Sequence, residues 1–528
     1  MALTNRGLNR RERRNLEILR MDVILAGYNL DKELIERAKR GECASDMVFS
    51  PESISAAYAR ISRDPDPVNI LREKARRDIV RARKSNRRIV FDMGHHSVAE
   101  HVIFNIDIIG ISRLAVESLE EARLCAYTEK SQRYVTLDGD SVMPQEFQQR
   151  DRELFKQLTH EQNQLYLRAF PALLELQKRK NPQLYELEHG RATIEGWAKE
   201  DARFALNLAT ETQLGFSPNA RNLEYVIRKL RHHPLSEVRE LGHKLFAVGS
   251  EIAPSLIILS DPKAFKEQFG WEVSDAFIQG GRLDLKSISE KMFSRFSSES
   301  DQKNTTASAA AVSLVDHCDN PDVAVVASLL HSTSEHPKPY DYCVRIAREM
   351  QRADMHIEYI KQALEKLTEY DAVFREFEHA TFTFEISVSA SEFAQWKRHR
   401  MMTLTKQPYD PSLGYSYPEA VIEVGLEPVY RDLFDKTTEV FLQLQKRYSQ
   451  AAQYALTNGH KRRALITVNM RELYHIARLR MDEHAQWEIR NTAAEMISRV
   501  AEIAPATAFL ACGKGGFHSR RGQLYNRD

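Results

Sequence analysis

Gln395, Arg398 and His399 lie at i, i+3 and i+4 in SEFAQWKRHRMMTLTKQPYD (391–410), so on a helix they share one face. Such a face suits one polar ligand, because arginine's planar fork matches phosphate or carboxylate. The same spacing also describes a solvated basic helix end. Arg480 and His484 in RLRMDEHAQWEIR repeat the i, i+4 geometry beside Trp487 and carry the same two readings. Upstream, in EARLCAYTEKSQRYV (121–135), Ser131 and Arg133 stand two apart. In extended chain both project to one side, and a hydroxyl beside a guanidinium is a workable phosphate grip. GHHSVAEH (94–101) clusters histidine with carboxylate, but His96 and His101 are too far apart for a zinc helix, which needs them one turn apart; they would diverge by about 140°. No metal site is expected. Glycine-rich nucleotide loops, G-x-S-x-G and C-x-x-C are all absent.

The elements that would hold these residues occur twice. EHVIFNIDIIGIS from Glu100 and EHATFTFEISVSA from Glu378 each run a Glu-His pair into a strand. Phe104, Ile106 and Ile108 in the first, and Phe382, Phe384, Ile386 and Val388 in the second, recur with the period of a strand buried on one face. Further along, SPNARNLEYVIRKL (217–230) and TVNMRELYHIARLR (467–480) match, with Asn219 and Arg221 answering Asn469 and Arg471. Two ordered matches in each half indicate an internal duplication of domain size. Stretches 150–179 and 430–456 carry apolar residues at three- and four-residue spacing, the pattern of amphipathic helices. The segment SSESDQKNTTASAA is polar, small-residue rich and aperiodic, and reads as a linker. The expected organisation is 1–296, a linker at 297–310, and 311–528, in a mixed α+β fold.

Bulk composition narrows the partners. The 528 residues exceed what one core usually serves. The 75 basic and 74 acidic side chains nearly cancel, which argues against a nucleic-acid or anionic-membrane surface and leaves only focal anion sites. Five cysteines (Cys43, Cys125, Cys318, Cys343 and Cys512) suggest neither a disulfide scaffold nor a zinc knuckle. The N-terminal stretch is basic without the apolar core of a secretion signal, and no run has the length of a membrane span. A cytoplasmic protein is expected.

These motifs resemble the flavin-dependent thymidylate synthases, whose signature runs H-x-[ST]-x-x-E-H, a strand, Q-x-x-R-H-R and S-x-R-Y, then A-R, N-x-R and L-R-x-x-x-H-A-Q-W-E-I-R. The strongest match is Val468–Arg471 with Leu479–Arg490, followed by Gln395–Arg400. The resemblance implies two tandem copies of a mainly antiparallel sheet with flanking helices, forming a pseudo-dimeric chain. Neither copy is complete. The second keeps Gln395, Arg398, His399, Arg400, Asn469, Arg471, Arg480 and His484, but PYDPSLGY replaces S-x-R-Y, whether Pro408 and Asp410 or Ser412 and Gly414 take the key positions. Gln453 falls near the A-R arginine and Val373 at the early histidine. The first copy keeps His95, Ser97, Glu100, Glu129, Ser131, Arg133, Tyr134, Arg203, Asn219 and Arg221, while Glu121, Ala122 and Arg123 replace R-H-R.

Family sites form between subunits, so two damaged halves can keep one whole site. The resemblance then implies FAD-dependent reductive methylation of dUMP, with NADPH and methylenetetrahydrofolate as co-substrates. Ser131, Arg133, Arg203, Gln395 and Arg398 would position the nucleotide phosphate. Glu129 and Arg480 would address sugar and pyrimidine, and Arg480, Arg398 and Glu129 are the catalytic candidates. His95, Ser97, Glu100, His399, Arg400, Asn469, Arg471, His475 and His484 would contact the flavin. A homodimer would then be a pseudo-tetramer. The alternatives are a degenerate, non-catalytic flavin- or nucleotide-binding scaffold, or a related flavoenzyme acting on another pyrimidine nucleotide.

Overall fold

The computed structural model describes residues 21–42, 48–135, 137, 139–270, 272, 285–297 and 311–525. Apart from Ser297, the stretch read as a linker lies outside the described residues. Each half carries one antiparallel four-stranded sheet. The first comprises β1 (Asp22–Tyr28), β2 (Phe104–Ser112), β3 (Ala126–Glu129) and β4 (Glu211–Ser217), in the order β1-β2-β4-β3. The second comprises β5 (Val312–His317), β6 (Thr381–Ser389), β7 (Thr403–Lys406) and β8 (Lys461–Asn469), in the equivalent order β5-β6-β8-β7. The fold is therefore two tandem α+β copies, with more helix than sheet around each.

The period-two readings hold. Phe382, Phe384, Ile386 and Val388 of β6 are fully buried, as are Phe104, Ile106 and Ile108 of β2, each contributing about 1.5–3 kcal/mol by leaving water. Each central strand then turns into a helix through the same device. Ser112 Oγ accepts from Ala115 N at 3.0 Å and donates to Glu237 Oε2 at 2.7 Å; Ser389 Oγ accepts from Glu392 N at 3.1 Å and donates to Glu488. The serine caps the first turn, and the buried carboxyl fixes the serine. Asn219 and Asn469 cap the helices after β4 and β8, accepting from Asn222 N at 2.9 Å and Glu472 N at 2.8 Å.

The predicted amphipathic helices appear as Gln149–Lys180 and Glu427–Gln445. The second stops short of residue 456, because the chain turns at 446–450 and re-forms as a 3₁₀ helix at Ala451–Ala455. Both pack into one core with the first sheet, to which the second half lends Tyr430, Phe434, Phe441 and Tyr454. Inside it Gln162 Nε2 of one long helix donates to Thr437 Oγ1 of the other at 3.1 Å. Where the halves meet, Leu208 N donates to Leu456 O at 2.8 Å and Asn458 N donates to Leu206 O at 2.7 Å. The two bonds are mirror images in the repeat, so the halves associate about a local two-fold axis, like an isologous dimer. Among the described residues no helix is long and apolar enough to cross a membrane.

Candidate functional site

The helix expected to present Gln395, Arg398 and His399 ends at Trp396. Residues 397–400 form a turn beyond it, held by Arg398 N donating to Gln395 O (3.3 Å) and His399 N donating to Trp396 O (3.0 Å). One helical face does not gather these side chains; the end of the helix does. Gln395 and His399 both engage Arg480: its Nε donates to His399 Nε2 at 2.8 Å and its Nη1 to Gln395 Oε1 at 3.4 Å. With Nε2 accepting, the His399 proton sits on Nδ1, which donates to Glu472 Oε1 at 3.2 Å. Burial lowers the His399 pKa against the pull of Glu472, and the Arg480 charge adds to the lowering. The imidazole is a neutral link between Arg480 and Glu472.

The first half reaches this group through Arg133. Ser131 and Arg133 do not lie in extended chain: they occupy a turn in which Arg133 N donates to Ser131 Oγ at 3.1 Å. The guanidinium pairs with Glu200 and donates from Nη2 to His484 O of the second half at 3.1 Å. Burial, then the charges of Arg398 and Arg133, push Arg480 down to about 10. Two guanidiniums, Arg133 from the first half and Arg398 from the second, are thus close enough for their charge to act on Arg480. Arg203 lies buried behind them, pushed to about 10 by burial against the opposing charge of Glu200. Arg203 Nε and Nη2 and Gln395 Nε2 are buried without a hydrogen-bond partner among the described residues. Buried donors of this kind are costly unless a ligand satisfies them.

Two cavities open here. Arg133, Arg480 and His484 line one of about 490 Å³, and Arg398 and Glu129 line another of about 400 Å³. Glu129 is not free: it pairs with Arg113 and lies 4.0 Å from Lys397, whose ammonium is 2.7 Å from Glu120. Burial would raise its pKa, but Arg113 and Lys397 overcome that and keep it low.

The other flavin candidates divide. Arg400 donates to Cys125 O, and its counterpart Arg123 donates to Met402 O at 3.2 Å, so both join the halves. Arg471 holds Val373 O at 2.9 Å and Glu378 at 2.8 Å, and Asn469 is the helix cap already described. His475 is exposed, its ring 5.8 Å from that of His399. His399, Glu472 and His475 also bring their ligand atoms within 4.8 Å of one another, a grouping the sequence spacing did not suggest. With one His399 nitrogen accepting from Arg480 and the other donating to Glu472, His399 has no lone pair left to offer a metal. His95, Ser97 and Glu100 stand in a separate group, where His95 Nε2 is 3.1 Å from Arg63 Nη2 and Glu100 pairs with Arg221. Among the described residues no hydrogen bond or ion pair links that group to Arg398, His399 or Arg480.

The mirror-image position is filled. With the helix caps superposed, the register of β7 on β8 matches that of β3 on β4 without a gap, so Pro408 and Asp410, not Ser412 and Gly414, answer Ser131 and Arg133. Glu121 then takes the place of Arg398, Lys406 that of Glu129, and Tyr409 that of Gln132. Tyr409 is buried, donates to Glu117 Oε1 at 2.6 Å, and is covered by Arg462, whose guanidinium carbon lies 3.6 Å from the ring centroid. Arg462 Nη1 donates to Glu117 Oε2 at 2.7 Å, and Lys406 Nζ is 3.0 Å from Glu121. Gln453, at the place of Arg203, accepts from Tyr409 N at 3.1 Å.

Sequence reasoning missed Glu200, Glu472, Arg113, Lys397 and Glu120. Lys397 stood inside the quoted motif, but its partners lie in the other half of the chain. Asp201, beside Glu200, gives a pH test. Burial and then the Glu200 charge raise its carboxyl to about 7 from the ordinary 3.8. A raised folded pKa contributes stability that is complete below the unfolded value and lost as pH rises through the folded one. Stability is therefore expected to fall between about pH 4 and 7, and Asp201→Asn to flatten that decline, as read from urea midpoints across the series.

The thymidylate synthase complementing protein family model matches residues 46–255 and again 313–506. A UPF0159 protein of Thermoplasma acidophilum is 24% identical over 491 residues, covering 86% of this chain and 93% of that protein. A UPF0159 protein of Chlamydia muridarum is 25% identical over 433 residues, 80% of this chain and 79% of that one. A flavin-dependent thymidylate synthase of Geobacter sulfurreducens is 29% identical over 210 residues, only 39% of this chain but 80% of that enzyme, a stretch comparable to one copy. With two family matches, two sheets of one topology and a local two-fold between them, the chain belongs to the flavin-dependent thymidylate synthase (thymidylate synthase complementing protein) family, in a two-copy form.

Proposed function

We propose that the chain converts dUMP to dTMP, with methylenetetrahydrofolate giving the one-carbon unit and NADPH the electrons, in one composite site built from both halves. The observation that carries this is the convergence of Arg133 with Arg398 and Arg480, beside buried donors that lack partners. The balance is dUMP, methylenetetrahydrofolate, NADPH and a proton giving dTMP, tetrahydrofolate and NADP⁺: the C5–H bond of uracil is replaced by a bond to a methyl carbon. FAD, when bound, would carry the electron pair between NADPH and the one-carbon unit.

The donor set fits an anionic nucleotide. Ser131, Arg133, Arg203, Gln395 and Arg398 would share the phosphate, whose double charge requires several charge-assisted bonds. Arg480 would meet the uracil carbonyl and stabilise charge developing on the ring, aimed by His399 and Gln395. Glu129, clamped by Arg113, would accept from the sugar or base. His399, His475 and His484 would contact the flavin. His95, Ser97 and Glu100 lie apart from that group within one chain, and a second chain would bring a copy of them to it, consistent with a functional homodimer. No covalent protein nucleophile is required, since the cofactor supplies the electronic chemistry.

Tritium release from 5-labelled dUMP, dependent on both co-substrates, tests the reaction, and the flavin-to-chain ratio tests the site count. About one FAD per chain and measurable release are expected. Bound flavin without release would favour the scaffold, and release from a different labelled pyrimidine nucleotide would favour the other flavoenzyme.

A further inference from the structure

The C-terminal segment lies beyond the family match, which ends at residue 506, and the reaction above leaves it without a role. It is nevertheless built onto the site. Gly513 packs against the turn after Arg480 so closely that a Cβ there would lie 2.5 Å from Met481 O, so no larger residue fits. The helix Phe517–Tyr525 is tied down at three further points: His518 Nε2 lies 2.8 Å from Glu369, Arg521 Nη2 donates to Glu365 O at 2.7 Å, and Tyr525 OH donates to Lys361 O at 2.8 Å. Phe517 is buried beneath it. The result places Lys514 on the wall of the cavity of about 490 Å³ that Arg133 and Arg480 also line.

The charges around Lys514 are unequally satisfied. Of the acids lining that cavity, Glu369 is taken by His518, Asp482 Oδ1 accepts from His484 N at 3.0 Å, and Glu483 lies 3.8 Å from His484 Nε2. Lys514 makes no direct hydrogen bond or ion pair among the described residues: its charge reaches Glu369, which His518 already pairs, and its ammonium stands 6.0 Å from the Tyr370 ring centroid. An exposed lysine alone signifies little. This one follows the tightly packed Gly513, in a cavity whose lining carries four cationic side chains, Arg133, Arg478, Arg480 and Lys514, against three carboxylates, Glu369, Asp482 and Glu483.

We infer that Lys514 is a substrate-binding residue that meets an anionic group of a co-substrate in this cleft, apart from the nucleotide phosphate. This rests on the reaction proposed above. The chemistry is a phosphate or carboxylate on a long ligand, carried either by NADPH or by the glutamate end of the folate. One charge-assisted contact corresponds to about a tenfold change in affinity.

The test uses the full-length flavoprotein with Lys514→Ala and Lys514→Glu, both on an exposed position and both checked for unchanged thermal midpoint. Binding of NADPH is followed by its own fluorescence on protein whose flavin has been reduced beforehand, so that no hydride is transferred, that of methylenetetrahydrofolate by calorimetry with the flavin oxidised, and that of dUMP in parallel. The expected result is about tenfold weaker binding of one co-substrate for the alanine variant and a larger loss for the glutamate variant, with dUMP affinity unchanged; whichever co-substrate responds is the source of the anion. Unchanged binding of both, or a loss confined to dUMP, overturns the inference. Because the readout is binding, a protein that fails to release tritium counts against the reaction alone.

Discussion

Arg133→Ala and Arg398→Ala are each expected to weaken dUMP binding about 10- to 100-fold, although one position lies in the first copy and the other in the second. A hydrogen bond between charged groups contributes roughly 1.5–3 kcal/mol, and 1.4 kcal/mol is a factor of ten. The effect falls on affinity first, because both side chains hold a part of the nucleotide that does not react. A mixing experiment sharpens the expectation. Arg133 reaches His484 O of its own chain, so co-expressing the two variants gives assemblies in which every cleft lacks one arginine, and tritium release at limiting dUMP stays as low as in either variant alone. Equilibrium titration of each variant at fixed salt gives the first number, and activity of the co-expressed pair gives the second. Normal dUMP affinity in either variant, or recovered activity in the mixture, would sink the single-chain composite cleft.

The second large effect is expected at the filled mirror position. Burial would raise the Glu117 carboxyl, but Arg462, Lys406 and Lys397 overcome it and hold it at about 2. Glu117→Ala leaves Arg462 charged and buried, and breaking such a pair from one side costs about 3–5 kcal/mol. At 2–4 °C per kcal/mol for a domain of this size, the thermal midpoint falls by roughly 10 °C. A depressed carboxyl contributes stability present above its unfolded pKa, near 4.5, and lost as pH falls through about 2. The variant should therefore lose most relative to the parent at neutral pH and converge with it in strong acid. Removing both charges together, as Glu117→Leu with Arg462→Met, should recover much of the loss. Affinity for dUMP should be unchanged in all of these. A stable Glu117→Ala protein would mean that the polar packing around Tyr409 contributes little.

What the sequence disclosed follows from how far each signal reaches. Period-two burial in β2 and β6 is local, and Phe104, Ile106, Phe382 and Phe384 read true. The duplication is a comparison of the chain with itself, and the matched sheets agree with it. The spacing of the R-H-R segment does not fix its geometry, because a helix that ends one residue before Lys397 has the same spacing as one that continues. Nothing in the local sequence marks the turn that holds Ser131 and Arg133. Arg400 is assigned to the flavin by resemblance alone, and the sequence gives no sign of its hydrogen bonds to Arg123 O and Cys125 O, more than 270 positions back in the chain. The meeting of Arg133 with Arg480 and the burial of Tyr409 under Arg462 depend on how the halves dock, and nothing local encodes that.

The docking surface carries a further consequence. Around the two cleft positions the first copy presents Glu117, Glu120, Glu121 and Glu129, while the second presents Lys397, Arg398, Lys406 and Arg462. Identical subunits could not be divided in this way, since each would have to offer both signs. Within the first copy Arg113 and Lys229 answer Glu129 and Glu121, but Glu117 and Glu120 take their cations from the second copy, so two first copies brought together would leave those carboxylates unanswered and two second copies would leave Lys397 and Arg462 without them. The halves expressed as separate polypeptides are therefore expected to pair across kinds, since only that pairing joins Glu117 to Arg462 and Glu120 to Lys397.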